Sequence, residues 1–461
     1  MTNFMNSDSI RSLFSSAMSD MYREEVPQYG TLIDLVRTVN TETLAKDPAL
    51  KARLEASGEL ERLDIERHGA IRVGTAKELF NIRRMFAVMG MYPVGYYDLS
   101  VAGLPVHSTA FRPIDDASLF QNPFRVFTSL IRLELLNDRD LAKRAEGILA
   151  QRNIVSEPAL DLLDIAEKQG GLTKDQATEF VAEALKTFRW HSDATVDKAT
   201  YDALQNAHRL IADVVSFRGP HINHLTPRTL DIDEVQKRMP ERGITPKAIV
   251  EGPANRAADI LLRQTSFKAL QEHVSFDGEE GSHTARFGEI EQRGIALKPA
   301  GRVLYDTCLS NTRARVSVGP NGENAVDYMT ALAEEFGNFP DTYKALRTQD
   351  LAFFRYRAVS GPVARAENIE ALVAAGHLVA DPQTYEDFLP VSAAGIFQSN
   401  LGSDEQSNFS QTANQDAFEA DLGATVADEI ALYQATEDQS LAAALTALGQ
   451  AHLLELEVGA A

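Results

Sequence analysis

The sequence predicts an α+β fold: two β-α-β-β-β units that form a cupped sheet around one metal, with a helical insert and helical N- and C-terminal additions. Three observations predict it. Arg286-Phe-Gly-Glu-Ile-Glu-Gln-Arg-Gly294 reads as a strand, with Glu289 and Glu291 on one face and Ile290 on the other. Side-by-side carboxylates repel each other and are costly to bury, and a cation resolves that conflict. Two upstream segments offer co-ligands: His68 in Glu66-Arg-His-Gly-Ala-Ile-Arg72, and His224 in Gly219-Pro-His-Ile-Asn-His-Leu-Thr-Pro-Arg228. Finally, each histidine is followed by a helix, a glycine and further strands. His68 to Pro93 is 25 residues and His224 to Pro246 is 22, and each proline lies just after the helix-ending glycine.

Taken in order, residues 1–63 form N-terminal helices. Phe14, Met18, Met21 and Tyr22 recur at helical spacing, as do Leu32, Leu35 and Val36, and an amphipathic charged helix covers 48–63. Residues 64–112 form the first unit. Its strand Ala70–Gly74 follows His68, and Thr75-Ala-Lys-Glu78 is a capping box. The helix runs to Gly90, and strands follow at Tyr92–Ser100 and Leu104–Arg112. Residues 113–210 are the helical insert, with amphipathic stretches at 141–150 and 174–187.

Residues 211–297 form the second unit. A strand-like segment carries His224, and a helix at 231–239 has an acidic start. Strands are expected at 247–251 and 260–267, and the Glu289 strand comes last. Residues 298–461 are the C-terminal region, helical over 297–335 with a strand at 353–360. An irregular, small-residue-rich stretch at 385–400 can bring backbone close to a ligand.

Composition narrows the function. A hydrophobic fraction of 44% and a charged fraction of 24% suit a soluble globular chain, and no apolar run is long enough to span a membrane. The N-terminus lacks a signal-peptide pattern and Cys308 is the single cysteine, so a cytoplasmic location is expected. The net charge is −21; from Ala366 onward there are 16 acids and no Lys or Arg. That tail argues against nucleic acid as a partner. The chain has no dinucleotide or phosphate loop, no His-Glu-x-x-His and no Gly-x-Ser-x-Gly.

Two histidines and a carboxylate are the ligands of iron(II) sites that use O2, and they also serve catalytic zinc, so ligand type leaves both metals open. With ten histidines in the chain, His107, His191 and His283 compete as ligands. A zinc hydrolase or lyase and a non-enzymatic dicarboxylate-binding protein are the rival functions.

Five segments carry a family resemblance: Glu66–Thr75, Met89–Leu99, Val106–Pro113, Pro220–Arg228 and Phe287–Gly294. Together they resemble the 2-oxoadipate dioxygenase/decarboxylase family, also called 2-hydroxyglutarate synthases, and the likeness extends to Val391-Ser392. The resemblance implies a vicinal oxygen chelate-like fold and Fe(II) held by His68, His224 and a strand glutamate. Related 4-hydroxyphenylpyruvate dioxygenases use the first glutamate of a Glu-x-x-Gln-Arg pattern, which falls on Glu289 and leaves Glu291 a supporting or substrate role. The implied partners are O2 and a small 2-oxo dicarboxylate. The implied reaction converts 2-oxoadipate and O2 to 2-hydroxyglutarate and CO2 in lysine breakdown. The family's substrate-binding arginine falls on Arg72, four residues along the strand from His68 and on the same face. Val391 and Ser392 are implied to line the substrate pocket.

Overall fold

Two helices open the chain. Asn6 caps Ser7–Glu25 by accepting from the Asp8 N–H, and Pro27 starts Pro27–Lys46. Ile10, Phe14, Met18, Met21 and Tyr22 bury the inner stripe of the first helix. The expected helix over 48–63 divides into Pro48–Ala56 and Glu59–Arg62, because Gly58 takes a left-handed conformation between them (φ 75°). The computed structural model describes residues 3–267, 271–284, 286–319, 322–389 and 412–454.

A five-stranded mixed sheet follows. Its strands are β1 (Arg67–Val73), β2 (Tyr92–Asp98), β3 (Val106–Arg112), β4 (Arg125–Ile131) and β5 (Leu225–Pro227), in the order β2-β3-β4-β1-β5. The first and last of the four N-terminal strands, β1 and β4, run parallel, with His68 opposite Arg125. β5 pairs antiparallel with β1, and Thr226 stands opposite His68. Helix Ala76–Val88 makes the crossover from β1 to β2.

β4 corrects the sequence reading, since it lies inside residues 113–210, expected to be a helical insert. All seven of its residues are buried, so Arg125-Val-Phe-Thr-Ser-Leu-Ile131 lacks the polar alternation that marks a half-exposed strand. A short helix, Asp116–Gln121, precedes β4, and the longer helical run comes after it, through Arg139–Leu149, Glu157–Gln169, Lys174–Lys186, Lys198–Ala207 and Arg209–Ser216.

β6 (Leu262–Ser266) pairs antiparallel with β9 (Glu289–Arg293), placing Ser266 opposite Glu289 and Gln264 opposite Glu291. Between them lies a hairpin of β7 (Glu272–Phe276) and β8 (Glu279–His283). A parallel bridge from Arg228 to Glu291 joins the end of β5 to β9. The expected strand over 247–251 forms no continuous ladder with β6: Glu251 bridges Gln264, the Lys247 N–H donates to the Ser266 carbonyl, and Thr265 Oγ1 donates to the Ile249 carbonyl. Toward the C-terminus, helices Pro299–Arg315 and Ala325–Phe336 precede the pair β10 (Phe354–Ala358) and β11 (Leu378–Pro382). Among the described residues no helix is long and apolar enough to cross a membrane.

Two local features bring the histidine segments and β9 together. A Cβ on Gly69 would meet Ile222 Cδ1 at 2.5 Å and the His224 carbonyl at 3.1 Å, so only glycine lets that segment cross β1 so closely. The Tyr22 hydroxyl is shared between the carbonyls of Asn223 (3.0 Å) and Phe287 (2.8 Å). The first helix thus ties the residue before His224 to the approach to Glu289.

Candidate metal centre

His68, on β1, places Nε2 2.9 Å from Glu289 Oε1, and His224 Nε2 lies 3.8 Å from the same oxygen. One ligand atom from each of the three lies within 4.8 Å of the others, and all three side chains are fully buried. Among the described residues no other group of three His, Cys, Asp or Glu side chains converges this way. Among the described residues, both ring nitrogens of His224 and Glu289 Oε2 lack a hydrogen-bond partner. Each such orphan costs about 1–3 kcal/mol when buried. A divalent cation among them would satisfy the imidazole lone pair and the free carboxylate oxygen together, so these residues fit a metal.

The ligand atoms are aimed by their neighbours. Glu289 Oε1 accepts from Thr226 Oγ1 (3.0 Å) and from Gln264 Nε2 (3.1 Å). On the far side of the His68 ring, Nδ1 lies 2.9 Å from Glu291 Oε2. Glu291 is gripped in turn by Arg293, whose Nε and Nη2 each donate at 2.8 Å. Arg293 Nη1 also donates to the carbonyls of Tyr385 and Asp387. A carboxylate behind a histidine fixes its tautomer and leaves the opposite nitrogen for a metal. The two strand carboxylates therefore sit on opposite sides of one imidazole, with different jobs.

A buried ion-pair network backs this arrangement. Glu66 Oε1 accepts from Arg125 (2.8 Å), and Oε2 accepts from Arg62 (3.2 Å) and Arg228 (3.0 Å). Glu59 accepts from Arg228 (2.7 Å) and Arg62 (3.3 Å), while Glu386 pairs with Arg62 and Arg125.

These surroundings set protonation. Burial works upward on Glu291, but Arg293 and His68 outweigh it and hold its carboxyl down to about 2. Burial, with the charges of His68 and Arg72, keeps His224 well below the ordinary imidazole value, so it is neutral and its lone pair is free. Burial pushes Glu289 up, and no lysine or arginine pairs with it among the described residues. Phe388 packs edge-on against His68 at 5.0 Å and Phe287 lies 4.9 Å from His224, which makes the walls apolar.

His68, His224 and Glu289 are thus brought together as the sequence suggests, and Glu291 Oε2 lies against the other ring nitrogen of His68. Arg72 is buried on β1 and its Nη1 donates to Asp213 Oδ2 at 2.8 Å. Val391 and Ser392 lie outside the described residues. The rival His107 packs between Tyr96 and Phe418, and His283 contacts Asp213 and Tyr201. Sequence reasoning missed Glu66, Arg293, Thr226, Gln264, Arg125 and Asp213. The first two carried a signal, since Glu66 stands two residues before His68 and Arg293 two after Glu291, spacings that share a face in extended chain.

Comparison with known proteins points to one family. Residues 14–400 match the family model described as 2-oxoadipate dioxygenase/decarboxylase. A relative of that name from Pseudomonas putida is 57% identical over 455 residues, covering 97% of this chain and 98% of its own. One from Escherichia coli is 57% identical over 447 residues, covering 95% and 98%. The crystal structure of the Pseudomonas putida hydroxyglutarate synthase in complex with 2-oxoadipate superposes with a TM-score of 0.92. It shares 56% identity and covers 97% of this chain and 100% of its own.

Proposed function

The chain belongs to the 2-oxoadipate dioxygenase/decarboxylase family, and from that premise we propose that it converts 2-oxoadipate and O2 to 2-hydroxyglutarate and CO2 at Fe(II) held by His68, His224 and Glu289. The single observation that carries the ligand assignment is the convergence of unpartnered, fully buried His224 and Glu289 atoms beside His68 Nε2. Family membership supports the substrate and the reaction, and with them a place in lysine breakdown.

When bound, Fe(II) supplies the redox chemistry that reduces O2 while the oxo acid is decarboxylated. Everything else falls to side chains. The reaction balances without another reductant: cleaving the C1–C2 bond and hydroxylating C3 together supply the four electrons that O2 takes up, and both oxygen atoms enter the product. The chain must therefore hold C3 in place from decarboxylation until hydroxylation. Arg72, on the His68 face of β1, is assigned the distal carboxylate, because a guanidinium fork grips a carboxylate in two places and fixes chain length. Glu291 keeps His68 oriented, and Thr226 with Gln264 keeps Glu289 oriented. Phe388 and Phe287 exclude water from the reacting atoms. Val391 and Ser392 are assigned to the substrate pocket on the family resemblance.

We also read the two histidine-bearing halves as copies of one β-α-β-β-β unit. The first then spans 64–131 rather than 64–112, because β4 is the parallel neighbour of β1. In the second, residue 228 bridges β9 in parallel in the same way.

The test is isotopic. With ¹⁸O2 and the iron-loaded chain, 2-hydroxyglutarate should carry one labelled atom in its new carboxylate and one in its hydroxyl. Product formed at the same rate without O2 would end this reading and favour a hydrolase or lyase.

A further inference from the structure

A second buried polar cluster lies beside Arg72 and is built around Asp213, on helix Arg209–Ser216. Asp213 is 6% exposed. Its Oδ2 accepts from Arg72 Nη1 at 2.8 Å and its Oδ1 accepts from His283 Nε2 at 2.9 Å, with His221 Nε2 3.3 Å from that oxygen. The Tyr201 hydroxyl bonds His283 Nδ1 at 2.8 Å. Trp190 stands edge-on to His221 at 4.7 Å, and Phe217 packs on His283 at 4.9 Å. With both oxygens engaged, the carboxylate cannot rotate without losing a partner, and rings wall in both histidines.

We propose that Asp213 is a positioning residue for the reaction. Held by His283, with His221 packed beside it, it fixes the plane and reach of Arg72, and through Arg72 the preference for a substrate with a distal carboxylate. This rests on the reading of Arg72 as the distal-carboxylate anchor. The physical case is one of geometry against charge. A lone buried arginine attracts any anion, but a long side chain settles in several rotamers. Tying Nη1 to a locked carboxylate selects one of them. The tie also neutralises the arginine, which reduces bare attraction, so the feature serves orientation at the expense of affinity. Loss of Asp213 should accordingly lower kcat on the dicarboxylate while KM changes little.

The test compares 2-oxoadipate with 2-oxohexanoate, a chain of equal length without the distal carboxylate, in the full iron-loaded chain. Arg72→Ala should abolish the preference for 2-oxoadipate. Asp213→Ala should lower it by about tenfold, mainly through kcat, since a small misplacement of the reacting carbon costs rate. In the Arg72→Ala background, Asp213→Ala should change the preference no further. Asp213→Asn should recover most of it, because the amide oxygen still accepts from Arg72 while a histidine tautomer accepts from the amide N–H. His283→Phe leaves Asp213 in place and removes one of its donors; it should lower the preference by about threefold, even if Asp213→Ala does not fold.

Trp190 is the only tryptophan in the chain and touches His221, so its fluorescence gives a binding curve for 2-oxoadipate without turnover under anaerobic conditions. That curve should move little in Asp213→Ala. Equal losses on both substrates, or additive losses in the double variant, would leave Asp213 a purely structural residue and overturn the proposal. If Arg72→Ala keeps the preference, the anchor reading fails and the proposal fails with it. If Arg72→Ala removes the preference while neither Asp213→Ala nor His283→Phe moves it, the proposal alone fails.

Discussion

Glu291→Gln separates the two strand carboxylates. The substitution keeps shape but removes a charge that faces His68 Nδ1 at 2.9 Å and the Arg293 fork at 2.8 Å on both arms, with Arg125 Nη1 3.9 Å away. Breaking a buried pair from one side costs about 3–5 kcal/mol, because the partner charge stays buried. The metal-free variant should therefore unfold in urea with about that much less stability. The histidine it orients should also bind metal about 10–100-fold more weakly. Tenfold is about 1.4 kcal/mol, so the metal-loaded variant should lose a further ~1.4–2.8 kcal/mol relative to loaded wild type. Glu289→Gln should invert the pattern: metal binding is abolished, while the metal-free chain loses little, since among the described residues no lysine or arginine pairs with Glu289. Paired urea titrations with and without Fe(II), and metal analysis of each variant, read both effects. Full metal occupancy in Glu289→Gln with loss in Glu291→Gln would show that the ligand is the other carboxylate.

Three further outcomes follow from the geometry. Arg72→Lys turns a fork into a point charge, so turnover of 2-oxoadipate at limiting substrate should fall at least tenfold while iron content stays unchanged; equal turnover would leave Arg72 structural. Tyr22→Phe strips the shared hydroxyl from the Asn223 and Phe287 carbonyls, which should cost about 1–3 kcal/mol in urea unfolding, and a loss below 0.5 kcal/mol would refute the tie. On Glu66 and Asp213 burial works upward but is outweighed, by Arg62, Arg228 and Arg125 for Glu66 and by His221, His283 and Arg72 for Asp213, so both fold with carboxyls well below their ordinary values. Glu291 is held down to about 2. Their stabilisation is complete above the ordinary carboxylate range and is lost as pH falls through it toward the folded values; the urea midpoint of the metal-free chain should drop steadily between about pH 5 and 3, and a flat response would contradict it.

What could be read in the sequence was what is local. Glu289 and Glu291 share a strand face, and like charges so placed are an anomaly visible within three residues. The helix after His68 announces itself through Thr75, its apolar spacing and Gly90. Partners that meet only in the fold left no such mark. Arg125 finds Glu66 across 59 residues and Glu386 across 261, and Arg72 finds Asp213 across 141. β4 was hidden for another reason: covered on both faces, it carries no period of two. The N-terminal helices show only their apolar spacing in the sequence, because the Tyr22 hydroxyl and the Asn40 amide, which hold the ligand-bearing segments, are isolated polar groups on apolar stripes.

A charge count around the site explains why two adjacent carboxylates coexist there and which of them needs a metal. Arg62, Arg125, Arg228 and Arg293 face Glu59, Glu66, Glu291 and Glu386, so that network is electrically balanced. Glu289 stands outside it. Among the described residues its Oε1 meets only neutral donors from Thr226 and Gln264 besides the histidines, and its Oε2 has no hydrogen-bond partner. A buried carboxylate without a cation either takes up a proton or acquires a positive partner. A divalent ion between His68, His224 and Glu289 would turn that surplus negative charge into a net positive one. A centre with that charge attracts an anionic oxo acid, even in a chain whose total charge of −21 opposes the approach of anions. Had Arg293 reached Glu289 instead of Glu291, the surplus charge would fall on Glu291, on the far side of the His68 ring.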